Sequence, residues 1–281
     1  MNTKQPPFAV AISVSDSPDL AAVGLSEGHL KEIMAELAIQ ILAADADLVY
    51  GGDLRTYGFS QLLFQLVLRY TALEDLPTAN RVTNHLAWPV HIKMSVKEID
   101  ALKDEVRGAA EIFLMARDGT RLALEQRRSL QTHEPSRDEW VSGLTAMRNM
   151  QCSTTNARVL LGGQVANYMG RMPGVAEEAL LSLQAGQPLF LIGGFGGCTR
   201  DVAEAMGLLE PWSRSRTDWR GRHEFDGWAI QNLNNRLTNE ENRLLAHTPF
   251  IGQAVLLVLS GIHRLRKHAQ KQPSRARYLP A

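Results

Sequence analysis

Apolar residues along this chain fall into short unbroken runs, separated by longer stretches with a helical period. "FAVAISV" (8–14) is β-branched and apolar and is stopped by Ser15, Asp16, Ser17 and Pro18, which predicts a first strand. From Ser26, a cap residue by type, Leu30, Ile33, Met34, Leu37, Ile41 and Leu42 recur at helical spacing over 26–43. "DLVYGGD" reads as a second strand and "FSQLLFQLVLRY" (59–70) as a well-buried helix. "WPVHIKM" (88–94) and "AEIFLMA" (110–116) are the next strand candidates. Residues 136–150 follow as a helix, with Ser136 and Glu139 at capping-box spacing. "ARVLLGG" (157–163), a helix over 174–185, "PLFLIGG" (188–194) and a helix over 199–207 extend the alternation.

Strands that are apolar throughout, alternating with helices, are buried on both faces. The pattern therefore predicts an α/β fold: a Rossmann-like, doubly wound, mostly parallel sheet. Residues 211–235 read as a long loop and 238–268 as two further helices. The expected division is a nucleotide-binding domain over 1–210 and a helical C-terminal appendage over 211–281.

Composition changes this picture little. At 281 residues with 44% hydrophobic and 21% charged residues, the chain suits one large domain with a sizeable core. A formal net charge of +0 argues against nucleic acid as a partner. Cys152 and Cys198 match no zinc or CxxC spacing, and the histidines form no metal-spaced cluster, so no metal or resident cofactor is expected. With a poor signal-peptide pattern at the N-terminus, the expected location is cytoplasmic.

The charge is nonetheless uneven. Beyond Glu241 there is no Asp or Glu, while Arg243, Arg264, Arg266, Lys267, Lys271, Arg275 and Arg277 follow. "FIGQAVLLVLSGI" (250–262) is too short to span a bilayer at about 1.5 Å per residue. It reads as a buried or subunit-interface helix, which makes a homo-oligomer the expected assembly. Attachment of the basic tail to anionic lipid or nucleic acid is the alternative.

Three strands end in diglycines: Gly51-Gly52, Gly162-Gly163 and Gly193-Gly194. In an open parallel sheet, ligands sit beyond the carboxyl ends of the strands, where strand order reverses. Glycine there lets a phosphate or ribose approach the backbone, and a helix N-terminus supplies free N–H groups. GGFGG, with Gly194, Phe195, Gly196 and Gly197 ahead of a cap at Thr199, is expected at an exposed turn with its N–H groups facing the crevice. A tight strand-to-helix turn is the plainer explanation of any one diglycine. No GxxxxGK[ST], no GxGxxG after the first strand, no GxSxG and no HExxH is present, which disfavours P-loop NTPases and NAD-dependent redox domains.

Further candidates cluster with these turns. Ser13, Ser15 and Asp16 close the first strand and could hold a phosphate or ribose, or form an Asx-turn. Asp53 and Arg55 follow Gly51-Gly52, with Arg55 suited to a bidentate phosphate contact. Gln164 follows Gly162-Gly163. Pro173-Gly174 opens a helix whose first turn carries Glu177 and Glu178. Adjacent helical residues point about 100° apart, so one carboxylate can face the crevice while the other faces solvent or caps the helix. Glu178 in the crevice could bond ribose hydroxyls or act on an anomeric carbon. Compensation of the helix dipole is the competing role. "PWSRSRTDWRGRHEFDGW" (211–228) interleaves tryptophan and arginine and reads as a lid or partner-packing loop, with single-stranded nucleic acid as the alternative.

"VYGGDLRTYGF" and "VLLGGQVANYMGRMPGVAEEALLSLQAGQPLFLIGGFGG", after a first strand ending in small polar residues, resemble the SLOG superfamily over about residues 8–207. That superfamily includes the LOG phosphoribohydrolases, DprA-like proteins, and ligand-sensing domains of melastatin channels and antiphage effectors. The chain resembles the sensor-type members most, which implies an NAD-derived, ADP-ribose-like or cyclic nucleotide ligand in a defence or stress setting. The LOG signature PGGxGTxxE is matched by Pro173-Gly174 and a nearby Glu but lacks its second glycine and its Gly-Thr. Glu178 to Pro188 also resembles the nucleoside deoxyribosyltransferases, in which a glutamate eight residues before Gly-Lys-Pro attacks the anomeric carbon. Glu178 and Gly186-Gln187-Pro188 match those positions, implying an N-glycosidic hydrolase or transferase as the alternative.

Overall fold

Hydrogen bonding joins seven strands into one sheet in a computed structural model of the chain, which describes residues 7–52, 58–74, 81–211 and 219–271. They are β1 (Ala9–Ser15), β2 (Asp47–Tyr50), β3 (Val82–Leu86), β4 (Glu111–Met115), β5 (Arg121–Leu122), β6 (Ala157–Gly162) and β7 (Leu189–Ile192). Their order is β5-β4-β3-β2-β1-β6-β7. All neighbours are parallel except β4 and β5, which pair antiparallel through Leu114–Leu122 and Met115–Arg121. The order runs outward from β1 to β2 and β3 on one side and to β6 and β7 on the other. The reversal lies between β1 and β6, whose register brings Ser15 opposite Gly162.

The helices are α1 (Glu27–Ala43), α2 (Phe59–Glu74), α3 (Trp88–His91), α4 (Val96–Glu105), α5 (Leu124–Arg128), α6 (Arg137–Thr154), α7 (Gly174–Gln184), α8 (Gly197–Ala205), α9 (Asn239–His247) and α10 (Ile251–Lys271). On one face, Val10, Ile12 and Val14 pack with Leu30, Ile33, Met34 and Leu37 of α1 and with Val255 and Val258 of α10. On the other, Leu160, Leu189 and Leu191 pack with Ala176, Leu180 and Leu183 of α7 and Val202 of α8. Covering both faces is what the uniformly apolar strands require. The fold is therefore α/β and Rossmann-like, with a helical C-terminal part.

Helix starts follow their caps. Ser136 accepts the Glu139 N–H while the Glu139 carboxylate accepts the Ser136 N–H, and Ser95/Glu98 and Thr238/Glu241 repeat the device. Two expectations are corrected. Residues 88–91 are helical, because Pro89 lacks an N–H to give a sheet but fits a first helical turn. The strand precedes it at β3, where Asn84 and His85 interrupt the apolar pattern. Within 211–235 the described residues form short 3₁₀ turns, Arg222–Phe225 and Ile230–Leu233. Trp219 is buried there, edge-on to Phe225, and gives its indole N–H to Asp201, so it is no exposed stacking platform. No helix among the described residues is long and apolar enough to cross a membrane.

Candidate functional site

The turns after β1 and β6 are tied together at the strand-order reversal. Gly163 N–H donates to the Ser15 carbonyl at 3.0 Å, and Gln164 N–H donates to Ser15 Oγ at 3.2 Å. Gln164 also gives its side-chain N–H to Asp16 at 3.3 Å. Asp16 and Gln164 thus form the open rim of the crevice. Gly51 and Gly52 stand beside them at the end of β2, and Gly52 N–H is accepted by Asn84 of β3. Asp53 and Arg55 lie outside the described residues.

The GGFGG turn has a different setting from the one its composition predicts. Gly193 to Thr199 are all buried, so this is not an exposed turn. A methyl group on Gly194 would overlap the Thr248 carbonyl oxygen, and one on Gly193 the Ala246 carbonyl oxygen. These two positions are glycine because the end of α9 runs against them. Gly196 has φ +70° and ψ −154°, a conformation reserved for glycine, and a side chain there would meet Asp19 Cβ at 2.5 Å. Helix α8 starts at Gly197, so Thr199 lies inside its first turn rather than capping it. The cap is Asp19 from the loop after β1, whose carboxylate accepts Gly197 N–H at 2.6 Å. Cys198 N–H goes to the Gly163 carbonyl at 2.8 Å. The first two amides of α8 are therefore directed at protein acceptors.

The chemistry gathers instead around α7. Both carboxylates of its first turn are buried, which overturns the option that one faces solvent. Glu177 is saturated: it accepts from Thr145 and Arg148 of α6, and from Arg171 Nε at 3.1 Å. Arg171 continues to Glu224 at 2.9 Å. Glu178 is held more loosely, 3.4 Å from Arg148 Nε and 3.5 Å from Arg158 Nη1, and is 9% exposed. Of the pair, Glu178 has acceptor capacity to spare.

Two arginines build this network, and neither stood out in the sequence. Arg148 lies across the start of α7, 2.7 Å from where a side chain on Gly174 would begin, with Pro173 buried just before it. A cation at a helix N-terminus opposes the dipole, and Glu177 and Glu178 offset it. Arg158 rises from β6, 1% exposed, and donates to Ser13 Oγ at 2.8 Å. Ser13 is thus buried beneath Arg158 rather than at the rim. Burial lowers the Arg158 pKa, and the nearby Glu178 carboxylate pulls it back up. Its Nε and Nη2 have no hydrogen-bond partner among the described residues. The signal was a lone arginine inside the apolar run ARVLLGG. Arg148 carried no comparable mark, because a charged residue on an amphipathic helix reads as exposed.

Such a site offers acceptors at the crevice rim in Asp16 and Gln164, and one available carboxylate flanked by two guanidinium groups. Among the described residues no group of three or more His, Cys, Asp or Glu is placed to hold a metal ion. Comparison with curated proteins returns no match. Over residues 5–229, from before β1 to beyond the buried Trp219 turn, the chain matches the family model described as SLOG cluster2, and it belongs to that family.

Proposed function

We propose that the chain binds a nucleotide-derived ligand, NAD-derived, ADP-ribose-like or cyclic, as a sensor module over the ends of β1, β2 and β6. Bacterial defence or stress signalling in the cytoplasm is the setting that its sensor-type relatives favour. The observation that carries this reading is the strand-order reversal between β1 and β6, with Asp16 and Gln164 at its rim. Ribose hydroxyls are donors and fit the spare acceptor capacity of Glu178. A phosphate would compete with protein acceptors at each of these turns: Asp19 holds Gly197 N–H, Asn84 holds Gly52 N–H and the Ser15 carbonyl holds Gly163 N–H.

The second reading is an enzyme that acts on an N-glycosidic bond through Glu178. Its support is the position of Glu178 eight residues before Gly186-Gln187-Pro188. Two guanidinium groups lie against the carboxylate oxygens and compete with an anomeric carbon for them, which favours binding over covalent attack.

One experiment separates the two. The protein is incubated with NAD, nucleoside monophosphates and deoxynucleosides while base release and thermal shift are followed. Stabilisation without turnover, weakened by Glu178→Gln, is the expected result. Base release abolished by Glu178→Gln would establish the enzyme instead.

A further inference from the structure

At the other end of α1 from the crevice lies a groove of about 760 Å³ between the last turn of α1 and the C-terminal half of α10. Its floor is apolar, built from Ala43, Leu259 and Ile262, and its wall is built from the cations Arg266 and Lys267 with the imidazole of His263. No carboxylate among the described residues lines it. Arg266 donates to the Ala44 carbonyl at the end of α1. His263 and Lys267 have no partner among the described residues. Its α10 wall belongs to the segment after Glu241, which carries no Asp or Glu while the whole chain is neutral.

The groove also continues along the helix. Leu256, Leu259, His263 and Lys267 follow one another at spacings of three and four residues and so share one stripe of α10. Leu256 is 65% exposed on that stripe. Arg266 and Lys267 beside an exposed leucine match the two-part signature of a surface that meets anionic lipid.

We propose that this stripe is a seat for the anionic headgroup of a membrane lipid. The phosphate meets Lys267, Arg266 and His263, the groove floor takes the glycerol and first methylenes, and Leu256 enters the interface. Attachment is peripheral, because α10 is not apolar enough to span. Nucleic acid fits less well, since the described lining holds no Phe, Tyr or Trp for stacking and offers no use for Leu256. A second copy centred on the groove would set like charges against each other. The inference goes beyond the nucleotide reading and does not depend on it.

The test is co-flotation of the full chain with phosphatidylcholine vesicles, with and without phosphatidylglycerol, at low and high salt. Flotation is expected only with phosphatidylglycerol and should weaken with salt. One basic residue near an anionic surface contributes about fivefold in partitioning, so Lys267→Glu should reduce it by at least about tenfold. Leu256→Ser should also weaken flotation but leave its salt dependence unchanged. Both positions are exposed, so thermal melting should match the parent, and the nucleotide shift assay reports separately on the crevice. Absence of flotation at low salt overturns the proposal, as does flotation unaffected by both variants. Equal capture of a single-stranded oligonucleotide assigns the groove to nucleic acid. Binding of free glycerol phosphate without flotation assigns it to a soluble anion. A dimer that Leu256→Ser converts to monomer assigns the stripe to a second copy.

Discussion

The carboxylate of Asp19 accepts the backbone N–H of Gly197 at 2.6 Å, so a side chain from the loop after β1 caps the helix after β7. This contact joins the two halves of the sheet across its strand-order reversal, and it places a negative charge where a helix dipole favours one. A bound phosphate at that end of α8 would have to displace it. Asp19→Ala should therefore lower stability by about 1 kcal/mol, the usual cost of losing a charged cap, read from the urea midpoint. The same variant should be stabilised by inorganic phosphate more than the parent is. Equal protection of both proteins by phosphate would show that Asp19 does not guard an anion position.

The glycines at the start of the GGFGG turn make a separate prediction, because their neighbours are backbone atoms that cannot rotate away. Gly194→Ala drives a methyl group into the Thr248 carbonyl, and relief requires the end of α9 to move. The cost should reach or exceed the upper end of the about 1–3 kcal/mol typical of overpacking. Gly252→Ala, with open space around it in α10, is the control and should be neutral or slightly stabilising. Thermal melting of both variants decides the matter. Two equally stable variants would mean that α9 does not pack on the turn as described.

How far the fold could be read from the chain depended on how loudly each element spoke. The strands β1, β6 and β7 are uninterrupted apolar runs, and α6 announces itself through Ser136 and Glu139. β3 was hidden because its buried Asn84 serves Gly52 and its His85 stacks on Phe113, so polar residues occupy strand positions. The candidate site was legible as a neighbourhood: Ser15, Asp16, Gly162, Gly163 and Gln164 do meet. Its electrostatics were not, because an arginine on an amphipathic helix such as Arg148 reads as exposed, and nothing local to Arg158 names Glu178 as its neighbour. Only packing reveals that Glu177 is consumed by structure while Glu178 is not. GGFGG was the opposite case, a motif that speaks of ligand but is shaped by Asp19, Ala246 and Thr248.

That distinction between the two glutamates can be measured. Glu177→Ala strips an acceptor from Arg148, Arg171 and Thr145 at once, leaving buried Arg148 with only its long contact to Glu178 and Arg171 with Glu224. Loss of one partner from a buried pair costs about 3–5 kcal/mol. Glu178→Gln keeps the volume and one acceptor oxygen but removes the carboxylate beside buried Arg158, so its cost should be smaller than that of Glu177→Ala rather than negligible. Its main effect should fall on ligand-induced thermal shift. If Glu178→Gln unfolds the protein as readily as Glu177→Ala, Glu178 is structural and the assignment of the crevice carboxylate fails.

Two buried histidines predict how stability responds to acid. Burial, with Arg158 and Arg121 nearby, lowers the His85 pKa from 6.5 to about 4. Burial lowers His91 to about 4 as well, although its Nε2 contact with the Met115 carbonyl at 2.8 Å works the other way. Both are therefore neutral in the folded chain over a range in which the unfolded chain binds protons. Their contribution is complete above pH 6.5, shrinks as pH falls from there, and is gone once both states are protonated below about pH 4. A shift of one unit corresponds to about 1.4 kcal/mol, so together the pair should account for a loss on the order of a few kcal/mol across that window. Urea midpoints measured between pH 7 and pH 5, above the range where ordinary carboxylates titrate, isolate the effect. His85→Phe preserves the stacking on Phe113 and should flatten the slope by about half. A midpoint that holds steady from pH 7 to pH 5 in the parent would mean that neither imidazole is shielded as the packing of β3 and α3 requires.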